Sequence, residues 1–190
     1  IDLSLKSLAT AMRRSKEFGV SNIEFLQADI LNLGDYPDQF DFISCSGVLH
    51  HMADPIAGWR ALRGKLSPGG IMKIALYSKI ARRHIAEVRE WISEMGHTPT
   101  NENIREIRQL IFNLPKDDAR RRVLEFGDFY SISSARDLLF HAEEHTFSLE
   151  EVSDAIDGLG LEFIGLQLSN PDTERHFRDL FPDEPNMGNL

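Results

Sequence analysis

Acidic residues and a histidine-containing loop stand where an α/β protein places its ligand-binding groups. Ile1–Asp2 is expected to be the last step of a strand, Asp29 follows a segment of strand length at 22–27, and the loop GVLHH at Gly47–His51 follows a third. Ligands of open parallel sheets bind beyond the carboxyl ends of the strands, so these positions are expected to line one crevice. A carboxylate at Asp2 can accept two hydrogen bonds from a ribose diol. Asp29 can accept one from an adenine amine, while the backbone of Ala28 or Ile30 reads the ring edge. The alternative for both aspartates is that they cap their own loops.

Histidines supply the candidates for proton transfer. His50 and His51 titrate near neutrality, so either is a candidate general base, although packing or capping of the turn is the alternative for one of them. His141 and His145 share a face of a predicted helix, but the residues between them do not match the HExxH pattern, and no metal is predicted. The sequence instead favours a polar face directed at a substrate. The substrate-side candidates are Tyr130, Arg136 and His141, with an ion pair to a neighbour such as Glu143 or Asp137 as the alternative for Arg136.

Hydrophobic periodicity predicts the elements that position these residues. Helices are expected at 4–18 and 55–66, and strands at 22–27, 40–46 and 71–77. Asp54 and Pro55 give the second helix an N-cap and a first-turn proline. This alternation of strands and helices predicts an α/β fold with an open, mostly parallel sheet.

The second half of the chain is predicted to be mainly helical. Residues 79–145 follow a helical pattern with three breaks, Ser148 and Glu151 form a capping-box sequence, and 161–168 is expected to be a strand. The basic clusters at Arg82–His84 and Arg120–Arg122 are expected to be solvated helix faces. The predicted organisation is a Rossmann-like core at 1–78, a helical insert or substrate cover at 79–147, the last helix and strand of the core at 148–168, and an irregular tail at 169–190.

Composition limits the class of protein. The 190 residues carry a formal net charge of −9, and 42% of them are hydrophobic, which excludes wholesale disorder. No apolar run reaches the roughly 18–20 residues of a membrane span. The acidic balance argues against nucleic acid as a partner. Cys45, the single cysteine, excludes an internal disulfide, is expected to be a small core residue, and favours a reducing, cytoplasmic compartment.

Four segments of the first 78 residues, read together, resemble a known family. They are IDLSLKSLATA, NIEFLQADILNL, FDFISCSGVLHHM and LRGKLSPGGIMKIALYS, and in this order and spacing they resemble the class I S-adenosylmethionine-dependent methyltransferases. The resemblance implies a Rossmann-like fold, S-adenosylmethionine as cofactor, and methyl transfer to an acceptor, either a small molecule or a protein. It implies that Asp2 binds the ribose, that Asp29 and Ile30 contact adenine, and that Gly47–His51 flanks the methionine moiety and the methyl group. The full predicted cofactor-binding set is Asp2, Leu3, Ala28, Asp29, Ile30, Gly47, Val48 and Leu49, with His50 and His51 as the catalytic candidates.

Later segments, FGDFYSISSARDLLFHAEEHTFSLEEV and GLEFIGLQL, resemble a bacterial subgroup of these enzymes that is sometimes found beside tetratricopeptide repeats. The sequence departs from the family at its start, because the opening strand and its glycine-rich turn (G-x-G-x-G) have no counterpart. The chain is therefore expected to be an internal piece of a longer methyltransferase, beginning at the second strand.

Two other functions fit parts of the pattern. A nicotinamide-dependent oxidoreductase also places an acid after its second strand, although the HHMADP loop and the SPGG turn favour the methyltransferase. A non-catalytic protein-interaction module would fit the absence of the glycine-rich turn. In that case exposed sheet edges would favour association, including a homodimer.

Overall fold

The described residues, 1–140, 144–168, 170–183 and 187, form two units in the computed structural model, Ile1–Ala75 and Leu76–Leu190. The first unit contains helices α1 (Leu5–Glu17) and α2 (Pro55–Arg63) and strands β1 (Phe40–Ser46) and β2 (Leu66–Ala75). The second contains strands β3 (Tyr77–Ser78) and β4 (Thr146–Phe147) and helices α3 (Lys79–Glu94), α4 (Asn101–Asn113), α5 (Ile132–Phe140), α6 (Leu149–Gly158) and α7 (Pro171–Leu180).

Local capping sets the starts of the helices in the first unit. The Ser4 hydroxyl accepts a hydrogen bond from the Ser7 backbone N–H at 3.2 Å, and α1 begins at the next residue. The Asp54 carboxylate accepts one from the Ala57 N–H at 2.9 Å, and α2 begins at Pro55. Each cap satisfies a backbone donor that the first helical turn leaves without a partner. Both predicted helix starts are confirmed within a residue.

A parallel strand pair connected through α2 forms the sheet of the first unit. β1 and β2 run parallel, with Ile43 opposite Met72 and Cys45 opposite Ile74. The predicted strand 71–77 begins earlier than expected, because Leu66 pairs with Phe40 and the intervening 67–70 segment is accommodated by a register shift. Parallel strands joined by a helix make the unit α/β and Rossmann-like, as the sequence predicts.

Two predicted strands are wrong. Residues 22–27 form a single parallel bridge, between Gln27 and Asp2, and no ladder continues from it among the described residues. Residues 161–168 pair with no strand among the described residues, and Gly165 has a φ of 153°, which interrupts a regular pleat. A strand pattern forms a strand only where a second strand completes the hydrogen bonds.

Helix α7 corrects the prediction of an irregular tail. The Asn170 side chain accepts a hydrogen bond from the Asp172 N–H at 2.9 Å, and Pro171 occupies the first turn. An N-cap followed by proline is a helix start signal. This signal outweighs Pro182, Pro185 and Gly188, which favour an irregular tail but follow the helix in the sequence.

Helices build the core of the second unit. Ile85, Val88 and Ile92 of α3 recur at helical spacing on one buried face, and Ile107 and Ile111 of α4 pack in the same cluster. The cluster also contains Val123, Phe129, Leu138 and Leu139. The apolar stripes that predicted helices are thus the stripes that the helices bury. At the start of α6, the Ser148–Glu151 capping box is present with both of its hydrogen bonds, as predicted.

A buried carboxylate corrects the prediction that Arg82–His84 is a solvated face. Arg82 donates two hydrogen bonds to Glu144, at 2.7 and 2.9 Å, and Arg89 donates one at 2.9 Å. The Glu144 side chain is 5% exposed. His84 is also buried and stacks on Phe126 at a ring-centroid distance of 5.4 Å. Sequence spacing showed the charges of this cluster but not Glu144, which lies 62 residues from Arg82.

The second basic cluster is also tied to its surroundings. Arg120 forms an ion pair with Asp118, with an N–O distance of 2.6 Å, and its guanidinium lies 4.5 Å from the centre of the Trp91 ring. Arg121 donates to backbone carbonyls at the end of α4, including that of Phe112 at 2.6 Å. Carbonyl groups at a helix end lack partners within the helix, so a guanidinium there stabilises the end.

Candidate functional site

Two chain segments lie side by side where the sequence places its aspartates. The Asp2 backbone N–H donates to the Leu26 carbonyl at 3.2 Å, and the Gln27 side chain donates to the Leu3 carbonyl at 3.0 Å. Because the bridge between Asp2 and Gln27 is parallel, both segments run toward the same end. Asp29 follows Gln27 by two residues, so both aspartates stand at the carboxyl ends of adjacent parallel segments.

Each of these carboxylates caps its own loop with one oxygen. Asp2 Oδ1 accepts a hydrogen bond from the Ser4 N–H at 2.7 Å, and Asp29 Oδ1 accepts one from the Leu31 N–H at 2.9 Å. Within the described part of the chain, no hydrogen bond to either Oδ2 is found. Capping by one oxygen holds the carboxylate in a fixed orientation. Each aspartate therefore caps its own loop, as the alternative interpretation predicts. The second carboxylate oxygen of each side chain is not used in the cap.

The loop that follows β1 presents backbone and imidazole groups. Gly47 adopts a φ of +74°, which lets the chain turn directly after the strand, and Leu49–His51 forms one 3₁₀ turn. Leu49 is 1% exposed and His50 2% exposed, whereas His51 is half-buried. The two imidazole rings meet edge to face, with centroids 4.3 Å apart. Of the two catalytic candidates, His51 is the one with a solvent-accessible side chain.

Buried residues of β1 and α2 pack near this loop. Burial raises the pKa of the Cys45 thiol, while a hydrogen bond with the Leu49 backbone acts in the opposite direction. Cys45 is a buried free cysteine, as predicted. From α2, Gly58 approaches Met52 and Leu49 closely. Met52 and Gly58 are not among the predicted site residues. A glycine inside a predicted helix is nevertheless a sequence signal for close packing.

The substrate-side candidates belong to the second unit. Tyr130 is 54% exposed, and its hydroxyl donates to the Leu124 carbonyl at 2.9 Å. Arg136 is exposed and donates to the Asn101 side chain at 3.0 Å. No ion pair to Asp137 is found in the described part of the chain, and Glu143 lies outside it. His141 lies outside the described residues. Tyr130 and Arg136 thus both have exposed side chains.

The described residues contain no helix that combines the length and the apolar composition that a membrane span requires. They also contain no group of three or more His, Cys, Asp or Glu side chains arranged to hold a metal ion.

Comparison with known proteins places the first unit. Residues 1–74 match a family model described as a methyltransferase domain. An uncharacterized protein of a Synechococcus species is 33% identical over 174 residues, which cover 87% of this chain and 41% of that protein. A ubiquinone biosynthesis O-methyltransferase of Pseudomonas syringae is 37% identical over 71 residues, covering 37% of this chain and 30% of the enzyme. The chain therefore spans less than half the length of these relatives.

A solved structure shares the fold. A Rickettsia typhi protein, described as PKMT2 in complex with AdoHcy, superposes with a TM-score of 0.62 at 15% identity. The match covers 94% of this chain and 38% of the Rickettsia protein.

Proposed function

We propose that this chain, whose residues 1–74 match a methyltransferase domain, is part of a class I S-adenosylmethionine-dependent methyltransferase, binds S-adenosylmethionine at the strand-end loops of its first unit and takes part in methyl transfer. One observation carries the proposal. Asp2 and Asp29 stand at the carboxyl ends of adjacent parallel segments, each held by one oxygen and each with a second oxygen directed to no donor in the described residues.

The roles of the individual residues follow from their chemistry. Asp2, next to Leu3, would accept hydrogen bonds from the two ribose hydroxyls. Asp29 would accept one from the adenine amine, with Ala28 and Ile30 along the ring edge. The positions that would flank the methionine moiety are Gly47, Val48 and Leu49.

When bound, S-adenosylmethionine would supply a methyl group attached to a positively charged sulfur. The acceptor atom would take the methyl group by in-line displacement of the sulfur. Such a displacement depends chiefly on alignment, which is what a fixed loop provides. His51 is half-buried, and we propose it as the group that would accept a proton from the methyl acceptor; His50, at 2% exposed, would support the loop by packing. On the acceptor side we propose Tyr130 and Arg136, with His141 as a further candidate.

The acceptor class is proposed from the relatives. The Pseudomonas syringae enzyme is an O-methyltransferase, so small molecules bearing a hydroxyl group are the first acceptors to test. Methyl transfer to a protein remains the second class in the same screen.

The experiment that tests cofactor binding is calorimetric titration of the chain with S-adenosylhomocysteine. Asp2→Asn and Asp29→Asn keep the Oδ1 acceptor that caps each loop but convert the second oxygen into an amide donor. Losing one hydrogen bond to a charged group costs about 1.5–3 kcal/mol, so each variant is expected to raise the Kd about 10- to 100-fold. Asp54→Asn is the matched control, because Asp54 also caps with Oδ1 but lies outside the proposed set.

The outcomes separate the candidate functions. Unchanged affinity in both variants refutes the proposed roles of Asp2 and Asp29. Binding of NADH instead of S-adenosylhomocysteine supports the oxidoreductase. If neither ligand binds, the protein-interaction module is favoured.

A further inference from the structure

Gly58 occupies a helical position at which its lack of a side chain has a packing reason. Glycine weakens a helix relative to alanine, and Gly58 is not among the glycines with positive φ. A Cβ at this position would lie 2.5 Å from Met52 Sδ, 2.8 Å from Met52 Cε and 3.0 Å from Leu49 Cδ2. The residue therefore makes room for two side chains of the segment that follows β1.

The backbones of the same two residues, Leu49 and Met52, close the turn of the proposed cofactor loop. The Met52 N–H donates to the Leu49 carbonyl at 3.1 Å, and the His51 N–H donates to the Val48 carbonyl at 2.9 Å. Leu49 is 1% exposed. The turn thus follows directly on β1 and packs on α2 at Gly58.

We propose that Gly58 is a positioning residue of the cofactor site: the missing side chain lets Leu49 and Met52 sit against α2, and this sets the backbone of Gly47–Leu49 for the methionine moiety of S-adenosylmethionine. The cofactor part of this inference rests on the proposed function. Ordinary non-bonded contacts between heavy atoms are about 3.5–4.0 Å, so alanine at position 58 displaces the Met52 thioether by about 1 Å. Leu49 cannot retreat equally, because it is buried.

The test uses the full chain and four variants. Gly58→Ala introduces the Cβ, Met52→Ala removes the side chain that it meets, and the double variant restores the space. Gly64→Ala, at the C-cap of the same helix, is the matched control, because a Cβ there comes no nearer than 3.4 Å, to the Ala61 carbonyl oxygen. The readouts are amide hydrogen exchange across 47–52 and the Kd for S-adenosylhomocysteine, with thermal unfolding to confirm that each variant is folded.

The expected pattern is specific to a positioning role. Gly58→Ala accelerates exchange at 47–52 and raises the Kd about tenfold, since displacements near 1 Å are enough to weaken a precisely arranged site. Gly64→Ala changes neither quantity. The double variant returns both toward the values of Met52→Ala alone.

Two results overturn the inference. One is a Gly58→Ala chain with unchanged exchange at 47–52 and unchanged Kd. The other is a defect that Met52→Ala does not relieve. If the wild-type chain binds no S-adenosylhomocysteine, the proposed function fails together with the cofactor role, while exchange at 47–52 still decides whether Gly58 sets the turn.

Discussion

Glu144→Gln is expected to destabilise the second unit more than any exposed charge substitution in the chain. Glu144 accepts hydrogen bonds from Arg82 and Arg89 at 2.7–2.9 Å, and the three side chains are 5%, 12% and 19% exposed in the order Glu144, Arg82, Arg89. Glutamine keeps the shape of the side chain and removes its charge. Two guanidinium groups are then left partly buried without a counter-charge, which is the costly way to break an ion pair.

The size of the effect follows from the degree of burial. Removing one partner of a buried pair costs about 3–5 kcal/mol, and because the arginines keep some solvent contact we expect about 3 kcal/mol. For a chain of this length, 1 kcal/mol corresponds to about 2–4 °C, so Tm is expected to fall by about 6–12 °C. The matched control is Glu87→Gln on α3, the helix that carries Arg82 and Arg89. The ion-pair partner of Glu87 is Arg83, which is exposed. An exposed pair contributes about 0–1 kcal/mol.

The assay is urea unfolding followed by far-ultraviolet circular dichroism, at neutral and at acidic pH. Burial raises the pKa of Glu144, but the hydrogen bonds and charges of Arg82 and Arg89 outweigh it and hold the pKa below the usual 4.5. A lowered carboxyl pKa gives stability that is present above the unfolded-state pKa and lost as pH falls through the folded-state pKa. The difference between wild type and Glu144→Gln should therefore shrink below about pH 4.5. A loss under 1 kcal/mol at neutral pH would refute the reasoning, because it would place Glu144 among the exposed pairs.

Three further predictions concern the second unit. Phe129→Ala removes a fully buried ring and is expected to cost about 3–5 kcal/mol in urea unfolding. Burial, and then the charge of Arg122, lowers the pKa of His84, so its folded form favours the neutral ring, and stability is lost as pH falls below 6.5. His84→Gln should flatten that fall between pH 7.5 and 5.5, measured by Tm. Ser148→Ala removes the cap that accepts from the Glu151 N–H and should cost about 1 kcal/mol, with faster hydrogen exchange in the first turn of α6.

Each of these predictions has a control at an exposed position. Phe181→Ala, His176→Gln and Ser133→Ala change the same residue types where the side chains are exposed. Equal effects in a variant and its control would contradict the prediction. For His84, an unchanged slope of Tm against pH would show that another group carries the acid sensitivity.

Short-range patterns in the sequence determined the helices other than α7, strand β1 and part of β2. The caps at Ser4, Asp54 and Ser148 and the apolar stripes of α3 and α4 gave those helices their starts and buried faces. These features could be predicted because the groups involved lie within a few residues of one another. β1 and the loop after it could be predicted for the same reason. Together with Asp2 and Asp29, they make up most of the proposed cofactor site.

Tertiary structure decided what depends on distant partners. The patterns at 22–27 and 161–168 are strand-like, but a strand exists only where a neighbour completes its hydrogen bonds. Neighbouring histidines have equal chemistry in the sequence, yet His50 is buried and His51 is half-exposed. Arg82 forms a buried ion pair because the fold brings it next to Glu144, which lies 62 residues away in the sequence. Burial and pairing of this kind are set by packing between elements, and no local spacing encodes them.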